Sequence, residues 1–208
     1  MLFLGLVDLV TGLKRPEFFL SNPKYWVFPL QTLVCGGLLI AYWRHYKLQL
    51  PKKVTFTLAI AILVLGIWIL PQELLGFPRR DDGFNPTVFS SEPLLYWATV
   101  GLRFLRLVVA VPLLEEIFWR GFLLRYLIRE DFEAVPFGSF SWTSFGGVTL
   151  MFGLAHWGPD FVPALACGAL FNWIAIRTRS LSACVLAHAV TNLLLGFYIM
   201  TTRQWGFW

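Results

Sequence analysis

The stretch LSACVLAHAVTNLLLGFYIM, residues 181–200, carries no formal charge, yet holds His188 and Asn192 in its interior. About 20 apolar residues make one membrane-crossing helix. The same character recurs along the chain. Residues 25–43 contain no charge, and neither do residues 54–70, which run up to Pro71, a natural helix stop. Residues 143–156 and 161–176 are apolar too, separated by Gly158-Pro159-Asp160. Residues 72–93 and 130–141 collect prolines and charges, Asp81 and Asp82 among them, and read as aqueous connections. Residues 94–128 are long and apolar but punctured by Arg103, Arg106, Glu115, Glu116 and Arg120. As one helix they would run about 52 Å, well beyond a hydrocarbon core of roughly 30 Å. A bend or break near Pro112, or two closely joined helices, is therefore expected.

Composition fits this reading. Of 208 residues, 57% are hydrophobic and 14% charged, and the mean hydropathy is +0.66. Soluble domains average about 45–50% apolar and about 25% charged. A water-soluble globule, a disordered chain, a coiled coil and a disulfide framework are all excluded. The expected fold class is all-α: a polytopic membrane helix bundle of about six to eight helices. Cys35, Cys167 and Cys184 lie in apolar stretches without CxxC spacing and read as small buried hydrophobes. The net charge is +5, but Lys14, Arg15 and Lys24 precede the first long apolar run, and Arg44, Lys47, Lys52 and Lys53 follow it. These are membrane-flanking anchors, so the partner is the lipid bilayer and not a nucleic acid. Trp26 and Trp43, Trp142 and Trp157, and Trp205 and Trp208 fall where indole rings at the headgroup level are expected. His45, in a basic loop, is expected to be solvated. Residues 1–13 are apolar but too short to span, and read as an interfacial helix or the tail of a truncated span.

Charged groups inside apolar spans are costly, so those present are informative. Glu116 and Arg120 are four residues apart and share a helix face. Glu115 points about 100° away and is left to face a cavity. His188 and Asn192 share a face in the same manner, and His156 closes another apolar stretch after Phe152. A competing reading makes both acids structural partners of Arg103, Arg106 and Arg120, and the histidines mere interhelical hydrogen-bonders. Taken together, one carboxylate, two imidazoles, an amide and a supporting Glu–Arg pair form the inventory for hydrolysis by activated water. No serine or cysteine sits in a nucleophile setting.

Glu115-Glu116-Ile-Phe-Trp-Arg120-Gly121 resembles the EExxxR motif of the CAAX prenyl protease and bacteriocin-processing family (CPBP, also called Abi). Phe152-Gly-Leu-Ala-His156 resembles its FxxxH motif, and His188-Ala-Val-Thr-Asn192 its HxxxN motif, in the family's order. The similarity covers roughly residues 100–200, and the closing Trp-Gly-Phe-Trp resembles the bacterial CAAX prenyl protease-related subgroup. The resemblance implies a multi-pass intramembrane endopeptidase of the Ras-converting type, in a bacterial inner membrane, acting on a membrane-associated peptide or protein. It implies that Glu115 activates water with help from His156. His188 and Asn192 would then form the oxyanion site, while Glu116 and Arg120 fix the geometry. N-terminal helices and a loop would occupy residues 1–93 and the catalytic bundle residues 94–208, within one integrated membrane domain. No cofactor is expected. The alternative is a zinc enzyme with Glu115, His156 and His188 as ligands. A transporter or a non-proteolytic immunity protein are rivals of another class.

Overall fold

The computed structural model describes residues 22–46, 48–80 and 83–208. The apolar segment 1–13 and the charges Lys14, Arg15, Lys47, Asp81 and Asp82 lie outside these residues. Six main helices and no strand occur among the described residues: α1 (Lys24–Ala41), α2 (Val54–Leu74), α3 (Pro93–Tyr126), α4 (Trp142–Ala155), α5 (Phe161–Thr178) and α6 (Leu181–Thr202). All but α4 are long and apolar enough to cross a membrane. The protein is a polytopic membrane helix bundle.

Local chemistry sets the helix ends. Ser141 Oγ accepts the Ser144 N–H at 3.1 Å, opening α4, and Ser180 Oγ accepts the Ala183 N–H at 3.3 Å, opening α6. Pro93 begins α3, where a missing N–H costs nothing. Arg179 and Arg203 close α5 and α6 in the left-handed region, at φ 49° and 59°. Pro71 does not stop its helix as expected: α2 continues to Leu74. In the last turn a proline forfeits one hydrogen bond without ending the spiral. The N–H groups of Leu75 and Phe77 then both bond to the Pro71 carbonyl and close the end.

The expected break at Pro112 takes another form. Helix α3 runs on through it, with π-helical turns at Arg106–Ala110 and Ile117–Leu123. In the first of these the Val111 N–H donates to the Arg106 carbonyl, five residues back. The Leu107 carbonyl would next receive the N–H of residue 112, which proline lacks. Asn192 Nδ2 donates to it instead, at 2.8 Å.

Helix α6 sits at the centre, packed along α2, α5 and the middle of α3, while α4 lies along α5. Small residues make these approaches close: Ala164, Cys167, Gly168 and Ala175 on α5, and Ala183, Cys184 and Ala187 on α6. A Cβ at Gly153 would lie 2.6 Å from Leu165 Cδ2, so the α4–α5 crossing depends on that glycine. Cys167 and Cys184 are buried, Cys35 is half-buried, and all three are free. Leu33, Ile40, Ile62 and Phe197 are among the large apolar side chains that face outward, as a lipid-facing surface requires. His45 is exposed, as are Trp43, Trp142 and Trp157. Trp208 departs from the expected headgroup position. It is buried against Phe84 and Phe104, ring centroids 6.5 and 5.8 Å away, because the C-terminal turn folds back onto α3 and α6. At 14 residues, α4 extends only about 21 Å. Its C-terminal end, where His156 sits, reaches a cavity within the bundle.

Candidate active site

Arg120 anchors the site. Its side chain is fully buried, as is that of Glu116. Its Nη1 donates to Glu116 Oε1 at 3.0 Å, its Nη2 to the Gly168 carbonyl at 3.1 Å and its Nε to Asn172 Oδ1 at 3.1 Å. The rings of Phe152 and Phe171 lie 5.0 and 5.3 Å from the guanidinium carbon. A buried cation is tolerable only when paired and saturated with acceptors in this way. Gly168 admits the arrangement, since a Cβ there would press on Phe152 Cβ at 3.2 Å. Asn172 is itself fixed, its Nδ2 donating to the Phe145 carbonyl and to Thr149 Oγ1, both at 3.2 Å.

Glu116 carries a second partner. His188 Nδ1 lies 2.9 Å from the same Oε1, and its ring stacks on Phe171 at 5.2 Å and 24°. A carboxylate can only accept, so Nδ1 bears the hydrogen and Nε2 is directed away from Glu116. The same logic fixes His156. Its Nδ1 donates to the Phe152 carbonyl at 2.9 Å, and its ring meets Trp68 edge-on at 5.8 Å. Each histidine is held through one nitrogen and offers the other.

Those free edges meet in a cavity of about 210 Å³, lined by Glu115, His156, His188 and Asn192 together with Arg106 and Phe207. Val64, Trp68, Cys167 and Phe171 supply apolar wall. This volume holds several waters. Glu115 makes no ion pair among the described residues, and its Oε2 is buried without a protein partner. The two adjacent acids are thus separated as their spacing on the helix requires. Glu116 turns into the Arg120–His188 network, and Glu115 turns into the cavity. Arg103, offered at the sequence level as a partner for both acids, lies instead over the rings of Phe28 and Phe84, at 5.0 and 5.1 Å.

Asn192 is more constrained than its spacing suggested, because one amide hydrogen is committed to the Leu107 carbonyl. Two further side chains matter that sequence reasoning passed over. Asn172 orients Arg120, and it could have been found as the amide in the charge-free stretch 161–176, four residues after Gly168 on the same face. Phe207 lines the cavity from the C-terminal turn, its ring 4.3 Å from the Arg80 guanidinium carbon. Arg80 pairs in turn with Asp160, in the turn after α4. Nothing in the local sequence announces that contact. Among the described residues, no three His, Cys, Asp or Glu side chains converge as a metal-ligand group.

Residues 95–194 match the family model described as type II CAAX prenyl endopeptidase, Rce1-like. That span contains all three motifs, the whole Arg120 network and the cavity-facing part of α3. No curated protein and no solved structure matches the chain.

Proposed function

We propose how this chain, an intramembrane CAAX-type endopeptidase whose residues 95–194 belong to the Rce1-like family, cuts its substrate: Glu115 draws a proton from water, which attacks the scissile carbonyl directly. The observation that carries the proposal is the Glu115 carboxylate, with one oxygen lacking a partner among the described residues, in a cavity shared with two imidazoles and an amide. Water entering that cavity satisfies the stranded oxygen and stands where a general base can use it.

The proton passes to Glu115 as the water oxygen bonds to the carbonyl carbon. Negative charge moves to the carbonyl oxygen, which needs N–H donors already in place. Asn192 keeps one amide hydrogen after serving Leu107. His188, when it carries a second proton balanced by Glu116, presents an Nε2–H. His156 offers Nε2 to the water and, through its bond to Phe152, cannot rotate away. Collapse of the intermediate breaks the C–N bond, and Glu115 returns its proton to the leaving amine. Arg120 stays out of the chemistry and holds Glu116, which holds His188.

The test is Glu115→Gln. It preserves size and hydrogen bonding but cannot take the proton. With protein in liposomes and lipidated peptides scored by mass, cleavage should fall to background while the melting temperature stays within a few degrees. Cleavage at the wild-type rate in a folded Glu115→Gln variant refutes glutamate catalysis.

A further inference from the structure

Two buried arginines of α3 are treated very differently by this fold. Arg120 spends its donors on a carboxylate, an amide and a backbone carbonyl. Arg103 has nothing comparable. Only 6% of its surface is exposed, and its buried Nε and Nη1 have no hydrogen-bond partner among the described residues. Its neighbours are rings, with Phe28 and Phe84 at 5.0 and 5.1 Å from the guanidinium carbon. A ring face attracts a cation but supplies none of the strong acceptors that guanidinium N–H groups need. Arg106, three residues on, shares that face of α3, and its guanidinium carbon sits 4.3 Å from the centre of the same Phe28 ring. Its Nε donates to Gln31 Oε1 at 3.1 Å. Among the described residues no carboxylate lies within ion-pair distance of either arginine. Two like charges against one ring, one of them with stranded donors, call for an anion.

The space for that anion is a pocket of about 10 Å³ between α1 and α3, lined by Phe28, Phe84, Thr99, Leu102, Arg103 and Arg106. It has room for one water-sized group, such as a single anionic oxygen. Half-buried Thr99 and Leu102 bring it to the outer surface of the bundle. Phe28 meets Arg103 and Gln31 meets Arg106, three residues further in both helices, so α1 and α3 run in parallel. Side chains lean toward a helix's N-terminus. Both guanidinium groups therefore reach toward the end of the bundle where Lys24 Nζ donates to the Gly83 carbonyl. Toward the other end, exposed Leu33 and Val34 on α1 and Leu105 and Val109 on α3 offer apolar surface to acyl chains. Cations above and apolar surface below match a phospholipid.

We propose that Arg103 and Arg106 bind one phosphate group, the headgroup phosphate of an anionic lipid, with a phosphate oxygen entering the pocket to receive the Arg103 donors. The lipid supplies the counter-charge that the described residues lack at this contact, and so holds α1 against α3. Arg106 lines both this pocket and the hydrolytic cavity, and forms the wall between them.

The experiment uses the full-length protein in dodecyl maltoside, a detergent without phosphate, in chloride-free buffer. Melting is followed after addition of phosphatidylglycerol, of diacylglycerol with the same chains, or of inorganic phosphate. Phosphatidylglycerol at about a hundred-fold excess over its Kd should raise the wild-type melting temperature by about 5 °C or more, and native mass spectrometry should show a retained lipid. Diacylglycerol should give no shift. These arms need no mutation, so a folding defect cannot obscure them. Arg103→Met replaces a stranded cation with an apolar side chain. It should melt at or above wild type without lipid, and lose both the shift and the retained lipid. Arg106→Gln should weaken both. An equal shift from inorganic phosphate alone assigns the pocket to the soluble ion and overturns the lipid as its occupant. No shift from either phosphate source in wild type overturns the site altogether, and so does a shift of undiminished size in Arg103→Met. None of these outcomes involves peptide cleavage, so the peptidase reading is tested separately.

Discussion

Removing the Glu116 carboxylate leaves the fully buried Arg120 guanidinium without its counter-ion and His188 Nδ1 without its acceptor. The guanidinium cannot turn to water, because Arg120 is enclosed by Phe152, Phe171 and the α5 backbone. Breaking a buried pair from one side costs about 3–5 kcal/mol. For a chain of this length that corresponds to a melting loss on the order of 10 °C. Glu115→Ala deletes a carboxylate with a partnerless oxygen and should cost about 1 kcal/mol or less. Adjacent, chemically identical residues therefore differ several-fold in structural weight. The measurement is the temperature at which each variant, in detergent, loses its monodisperse peak on size exclusion. Glu116→Ala combined with Arg120→Leu should lose less than the sum of the two single changes, since the second removes the charge that the first stranded. Equal losses for Glu115→Ala and Glu116→Ala would refute this division between a structural and a cavity-facing acid.

Asn192→Ala should lower kcat by about 10²–10³ through the lost oxyanion donor, and should also destabilise by about 1–3 kcal/mol by stranding the Leu107 carbonyl. Adding Pro112→Ala, which restores a backbone N–H for that carbonyl, should recover the melting temperature but not the turnover; recovery of both would assign Asn192 a purely structural role. Asn172→Leu should depress melting and activity together, because it releases Arg120 Nε and leaves the network loose; unchanged activity would show that Arg120 needs no such orientation. Activity should survive exhaustive dialysis against a strong chelator, with sub-stoichiometric zinc by metal analysis. Loss of activity that zinc alone restores would make Glu115, His156 and His188 ligands.

Charge-free apolar runs made the bundle legible, since a span of about 20 residues without charge has few uses outside a bilayer. The site was legible for a related reason. Glu115, Glu116, His156, His188 and Asn192 are expensive in apolar helices, and their four-residue spacings placed them on faces before any packing was known. What stayed hidden depends on contacts distant along the chain. Phe207 reaches the cavity only because the C-terminal turn packs under Arg80, and Trp208 is buried only because Phe84 and Phe104 frame it. The local sequence of that tail reads as an interfacial aromatic cluster. Pro71 misled for the opposite reason, because a proline weakens a helix by one bond without deciding whether its last turn survives.

Pro112 joins these two levels. A proline three residues before a glutamate pair would ordinarily be read as a kink, and a kink would swing Glu115 and Glu116 relative to everything before them. The helix continues through it with a π turn at Arg106–Ala110, and in that register the carbonyl that loses its N–H donor to the proline is that of Leu107. Asn192 meets that carbonyl, and the same helix presents His188 to Glu116 one turn earlier. Two contacts four residues apart on α6 thus lock to two points on α3, Leu107 and Glu116, that bracket Glu115 along the helix or lie beside it. The HxxxN spacing is a clamp across the gap between α3 and α6 before it is a catalytic pair. The geometry of the cavity between them follows from that clamp, so the same amide that serves the proposed chemistry also sets the distance at which Glu115 faces it.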